Sequence, residues 1–173
     1  MARNLGSELP ADLLERLSGR HLEAKAAKVI QLFTVDDAGW PHAALLSYFE
    51  VVAKDARQVR CATYGTSTTT SNLRRNGKAT FVVIDERVVY YVKTSATEIA
   101  AAMRATPWNA AFDCQVEQVL IDEVNEAYEP GAYVASGVTY YNPGRPAEMA
   151  RARAVLAELL EAHGGVSAGK ASE

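Results

Sequence analysis

The chain has 173 residues, 49% of them hydrophobic, with 21 acidic and 18 basic side chains that leave a formal charge of -3. That length and apolar content suit one domain with a real core, and the near balance of charge, with no Lys/Arg block, excludes a nucleic-acid stripe. No apolar run reaches the roughly 20 residues of a membrane helix, and the opening MARNLGSELPADLLERL is too polar for a signal peptide, so the expectation is a cytoplasmic protein with no membrane partner.

Leu9, Leu13, Leu14 and Leu17 recur at helical spacing, with Pro10 in the first turn and Gly19 past the end, which predicts an N-terminal helix ending near Ser18. The β-branched and aromatic run from Ala27 to Val35, the turn residues DDAGWP and the run HAALLSYFEVVA predict a hairpin. A tight turn at Lys54, Asp55 and Ala56 leads into the strand QVRCATY. After a short helix come KATFVVI and RVVYYVK, separated only by Asp85 and Glu86. A helical turn is predicted between Glu98 and Arg104, stopped before Pro107, and FDCQVEQVLIDEV alternates as a sixth strand. Tyr128 to Tyr141, broken by Pro130, Gly131 and Gly137, reads as irregular or as an edge strand. The last helix starts near Pro146, carries Met149, Val155, Leu156, Leu159 and Leu160 as its apolar stripe, and stops at Gly164 and Gly165. Residues 1–165 are expected to form a single domain and residues 166–173 a disordered tail. Many short strands with few helices predict a small β-barrel carrying peripheral helices.

The most informative stretch is QVRCATYGTSTTTSNLRRNGKATFVVID, where a strand ends in six consecutive hydroxyl residues, Thr66 to Ser71, leading into a helix. Hydroxyls beside the free amides of a helix start suit a phosphate; Ser and Thr are equally the ordinary N-caps of helices that bind nothing. Cys61 and Cys114 show no metal spacing and read as buried thiols, with a disulfide between them left open. No His/Cys/Asp/Glu cluster has metal-ligand spacing, so no metal is expected. His42 is either a phosphate-facing cation or an exposed turn histidine. Ser47 lacks the GxSxG context of a hydrolase nucleophile, and Asp36 and Asp37 are what a tight turn requires. Of the two tryptophans, Trp108 is the better candidate to border a pocket.

The order of elements, with LPADLLERLSG, VIQLFTVD, GWPHAALLSY, VRCATYGTSTTTSNLRRNGKATFVVID and VVYYVK, resembles the flavin-binding split-barrel proteins related to pyridoxamine 5′-phosphate oxidase, over roughly Leu9 to Val124. The helix end around Asn72, Leu73, Arg74, Arg75, Asn76 and Gly77 is its most specific piece. The resemblance implies a mainly β, six-stranded FMN-binding split β-barrel with peripheral helices, working as a homodimer on an unknown small-molecule substrate. FMN is the cofactor implied, with a deazaflavin or no cofactor as alternatives. His42 takes the place of an arginine contact, Ala44 and Leu45 lie along the ring, and Ser47 matches a lysine that serves the substrate phosphate. Thr63 matches a threonine contact and Ser67 a serine. Thr68 and Thr69 match an Arg-Lys pair on the flavin phosphate, and Asn72 lies on the same helix. A threonine supplies neutral hydrogen bonds of about half the strength of charge-assisted ones, so cationic contacts must come from Arg74, Arg75 or a partner subunit. Val88 stands where relatives often carry a glutamine for the ring. The C-terminal helix replaces the Trp and Arg/His elements of the true oxidases, so pyridoxamine phosphate oxidation is not expected.

Overall fold

The computed structural model describes residues 1–161; the predicted helix stop at Gly164 and Gly165, His163 and the 166–173 tail lie outside the described residues. Chain order is β1 (Ala2–Gly6), α1 (Ala11–Arg16), α2 (Leu22–Lys25), β2 (Val29–Val35), β3 (Pro41–Ser47), β4 (Val51–Asp55), β5 (Gln58–Tyr64), α3 (Thr68–Asn76), β6 (Lys78–Asp85), β7 (Val88–Ala100), β8 (Asn109–Asp122) and α4 (Arg145–Leu160). One antiparallel sheet runs β3-β2-β6-β7-β8-β5-β4, with β1 added on β8, and it curls into the half-barrel of the split-barrel fold. No described helix is long and apolar enough to cross a membrane.

Two strands join the six read from sequence. HAALLSYFEVVA is not one strand but two, β3 and β4, because the chain turns at Ser47–Glu50, where the Glu50 amide donates to the Ser47 carbonyl (2.9 Å) and the Ser47 amide to Glu50 Oε2 (2.7 Å). β1 carries no alternating pattern and is held by the register Ala2↔Asp122 to Gly6↔Val119 and by the Arg3–Glu123 pair (2.8 Å). The expected helical turn from Glu98 is corrected as well. β7 continues through Ala100, since Thr97, Glu98 and Ala100 pair with Asp113, Phe112 and Ala111 of β8, and ladder bonds over that length outweigh the weak helical propensity of ATEIAAAM. The segment Tyr128–Tyr141 is irregular; it touches the sheet through the bridge Lys28↔Thr139 and through the Val138 and Val134 carbonyls, which accept from the Val29 (3.1 Å) and Arg87 (2.8 Å) amides.

Alternation along β2 sends Ile30 and Leu32 into the barrel core, where they meet Phe81, Val92, Phe112 and Val119, with Leu13 and Leu17 of α1 over one end. A second core lies outside the barrel, where Val155, Leu156 and Leu159 of α4 cover Val52, Ala62 and Ala111. For that reason β5 is buried on both faces. Arg60, on its outer face, donates to the carbonyls of Leu159 (2.8 Å) and Glu161 (2.5 Å), capping the C-terminal end of α4. Cys61 and Cys114 are free and buried with their Sγ atoms 3.9 Å apart; the Cys61 contact and burial push the Cys114 thiol well up, which keeps it protonated and inert.

Gly77 ends α3 in the left-handed conformation, φ 64°, and a Cβ there would sit 2.9 Å from the Ala96 carbonyl oxygen. Gly77→Ala should therefore cost about 2 kcal/mol, read as a Tm lowered by roughly 4–8 °C; an unchanged Tm would mean that the α3–β6 junction yields to the methyl group.

Candidate functional site

Two of the six hydroxyls, those of Ser67 and Thr70, hold α3 in place. Ser67 is the N-cap, accepting from the Thr70 amide (3.2 Å). The Thr70 hydroxyl lies 2.6 Å from that of Thr63 and donates to the Tyr64 carbonyl (2.7 Å), tying the helix start to the end of β5. Asn72 Nδ2 donates to Thr34 Oγ1 (3.0 Å), docking the helix on β2. Thr63, Ser67 and Asn72 are thus engaged within the fold. Thr69 is buried, and Thr68 is exposed at the first helical position. The amides of Thr68 and Thr69 belong to the first turn, where no intrahelical carbonyl can accept from them. Arg74 reaches toward this start, its Nη1 donating to the Gly65 carbonyl (3.2 Å), while its Nε pairs with Glu98 (3.0 and 3.1 Å); Arg75 donates to the Val35 carbonyl and to Asn72 Oδ1.

β3 divides its predicted contacts between two faces. His42 and Ala44 stand opposite Thr34 and Leu32 on the inner face, so His42 neighbours the Thr34–Asn72 bond. Leu45 and Ser47 share the outer face. These two, and not the inner pair, line a cavity of about 560 Å³ together with Tyr64 at the end of β5 and Trp108 and Asn109 at the start of β8. Its other wall is the Ser47–Glu50 turn and α4, which contributes Arg145, Glu148 and Arg151. Arg145 Nη1 donates to Glu148 Oε2 (3.1 Å) while its guanidinium lies over Phe49 (4.6 Å), and Arg151 pairs with Glu148 (3.1 Å). Leu45, Tyr64 and Trp108 are more than half exposed at 53%, 63% and 54%, an apolar rim left open to a ligand or a second chain.

α4 is held against this wall at its C-terminal end. Arg60 caps it, and Glu158 accepts from the amides of Arg104 (2.8 Å) and Ala105 (2.8 Å), fixing the segment that leads to Trp108. Burial pushes the Glu158 carboxyl up, but those amides and the Arg104 guanidinium outweigh it and hold the group below its ordinary value.

Comparison with known proteins follows this geometry. The uncharacterized protein YclD of Bacillus subtilis is 33% identical over 110 residues, 64% of this chain and 71% of YclD. The chain belongs to the YclD family. No family model matches it. Among solved structures, a Lactobacillus delbrueckii protein provisionally named a pyridoxamine 5′-phosphate oxidase matches with a TM-score of 0.53 at 16% identity, over 68% of this chain and 98% of that one. HupZ of Group A Streptococcus matches with a TM-score of 0.51 at 14% identity, over 77% and 99%. This YclD family member thus has the split-barrel fold related to pyridoxamine 5′-phosphate oxidase, and at such identities the likeness concerns the fold alone.

Sequence reasoning missed Glu50, Asn109, Arg145 and Glu148. Glu50 left a trace, as the lone acid in an apolar run, and so did Asn109, the polar residue opening AAF; the two α4 residues read as an ordinary solvated face. Burial pushes the Glu50 carboxyl above its ordinary value, against the Ser47 amide and the Arg145 cation, with the Glu148 carboxylate adding to the rise. Because the folded value is raised, the contribution of Glu50 to stability is full below the unfolded carboxylate value of about 4.3 and is lost as pH rises through the folded value. Glu50→Gln should accordingly raise Tm near pH 8 and match the wild type near pH 4; an equal difference at both pH values would mean that the carboxyl ionises as it does in water.

Proposed function

We propose that the protein is a flavin-binding, oxidoreductase-like protein on this fold, taking FMN as a cytoplasmic homodimer, with a small-molecule substrate still to be identified. The observation that carries the reading is the cavity of about 560 Å³ in which Leu45 and Ser47 meet Tyr64 and Trp108, the residues joining β3, β5 and β8. Ring cofactors occupy pockets of roughly 300–1,000 Å³ with aromatic walls and few polar groups. A second copy would cover the outer face of β2 and β3, where Phe33 is half-buried and Ala43 and Leu45 are exposed.

The residues fit the two ends of FMN unequally. The ring finds aromatic and apolar surface, whereas the phosphate finds the Thr68 and Thr69 amides, the Thr68 hydroxyl and the positive end of a nine-residue helix, all neutral donors. His42 and Ala44 lie on the inner face of β3, opposite Thr34 and Leu32. A bound flavin supplies hydride transfer, and the part of the chain is to orient the ring and exclude water. No side chain is assigned as acid or base.

One observation favours a second reading, a non-catalytic binding or dimerisation module on the same fold. Arg74 and Arg75 are committed to Glu98 and Val35, so the cationic grip of the oxidases has no replacement from these residues.

Titration of the purified protein with FMN and with riboflavin, followed by flavin fluorescence, separates the readings. A neutral cradle adds about 1–2 kcal/mol for the phosphate, so both flavins should saturate the site with FMN tighter by roughly 5- to 30-fold. Saturation by neither would end the flavin reading and leave the non-catalytic module.

A further inference from the structure

Asn109 opens β8 in the cavity wall at 4% exposure, and its Oδ1 is buried without a hydrogen-bond partner among the described residues. Buried polar atoms are nearly always paired. Its backbone is locked, the amide donating to the Thr106 carbonyl (2.8 Å) and the carbonyl accepting from the Met103 amide (2.8 Å), so the side chain is presented from a fixed point. Across the same cavity Arg145 has a buried Nε that is likewise unpartnered among the described residues, while its Nη1 is held by Glu148 and its plane by Phe49. The wall therefore offers an idle acceptor and an idle donor, each on a preorganised side chain.

The charges in the wall narrow the ligand further. Arg145 and Arg151 are both paired with Glu148, so neither cation of the wall is left free to draw in an anion. The exposed faces of Tyr64 and Trp108 at the rim suit a flat ring.

We propose that this cavity recognises the lactam or imide edge of a neutral planar heterocycle. The ring N–H donates to Asn109 Oδ1, and the adjoining carbonyls accept from Asn109 Nδ2 and Arg145 Nε. The proposal deepens the flavin reading, since the flavin ring carries such an edge, and it rests on that reading only for which ring is bound; a separate lactam-bearing substrate would present the same chemistry.

The test follows the Asn109 side-chain NH₂ resonance of ¹⁵N-labelled protein, assigned by its loss in N109L. The probes are riboflavin, lumazine, which has the imide ring without the third ring or the tail, and the N3-methyl derivative of each. The unmethylated rings should move the resonance saturably, and methylation should weaken binding by about tenfold or more, the loss of one well-made hydrogen bond. Asn109→Leu should weaken the unmethylated rings by a similar factor and leave the methylated ones unchanged. Asn109→Asp, for use if the leucine variant does not fold, keeps the oxygen acceptor and loses the Nδ2 donor, so it should weaken methylated and unmethylated rings alike and retain the methylation penalty; a lost penalty there would overturn the proposal. An unmoved resonance, or equal binding of methylated and unmethylated rings, overturns the proposal. Riboflavin binding with Asn109 unmoved would sink this proposal and spare the flavin reading; lumazine moving Asn109 while no flavin binds would do the reverse. Lumazine excluded by prior FMN loading supports the proposal and assigns the edge to the cofactor, and lumazine still bound beside FMN supports it and assigns the edge to a substrate.

Discussion

The pairing of β7 with β8 is the constraint on which the remaining structure hangs. These are the longest strands, 13 and 14 residues, in register from Tyr90↔Ile121 to Ala100↔Ala111. Every other strand attaches to them directly or through a neighbour: β6 along β7, β5 on the first half of β8 and β1 on its last residues. Two register shifts, at Lys93/Thr94 and Glu98/Ala100, increase the local twist, and with it the curl that makes a half-barrel out of a sheet. The start of β8 is also the cavity wall. Asn109 is placed by its pairing with Tyr64 of β5 and Trp108 directly precedes it, so site and fold share this strand.

Much of this architecture was legible because strand patterns are local. β2, β5, β6 and the central part of β7 follow from β-branched and aromatic runs bounded by turn residues, and α3 from a Ser N-cap and a glycine at its end. The failures came where pairing partners decide. β1 has no pattern of its own and exists because the free edge of β8 beyond β5 accepts it. β7 runs past Thr97 because β8 continues opposite it, whatever the helical propensity of the alanines that follow. The break between β3 and β4 turns on the Glu50 side chain reaching the Ser47 amide, a single contact that hydropathy cannot register.

The site was legible in a different and more partial way. The hydroxyl-rich segment Thr66–Ser71 stood out by composition, and two of its six hydroxyls turned inward: Ser67 caps and Thr70 bridges to Thr63 and Tyr64, while the neighbouring Asn72 docks on Thr34. Composition reveals that donors are present, not where they are spent. The same limit holds for Arg74 and Arg75, whose charges sit one to two turns from the helix start yet are consumed by Glu98 and Val35. The resemblance to the oxidase-related proteins located β3 correctly, but the alternation of a strand then assigned Leu45 and Ser47 to one face and His42 and Ala44 to the other.

α4 makes the sharpest case for reading polar groups by what they lack. Its apolar stripe explains its docking, and Arg60 and Glu158 explain its position, so one helix face is fully accounted for. The face with Arg145, Glu148 and Arg151 is tied to itself, to Asn142 and to Phe49, and it meets Asn109 and Glu50 from segments far away in sequence. A buried group left without its hydrogen bond costs about 1–3 kcal/mol, a substantial fraction of the 5–15 kcal/mol that stabilises a typical domain. Asn109 Oδ1 and Arg145 Nε both carry that cost in one cavity. Unpaired buried atoms also occur at Arg16, Arg60 and Asp113, so what sets Asn109 and Arg145 apart is that the two share one cavity wall, the juxtaposition on which the proposed ligand edge rests.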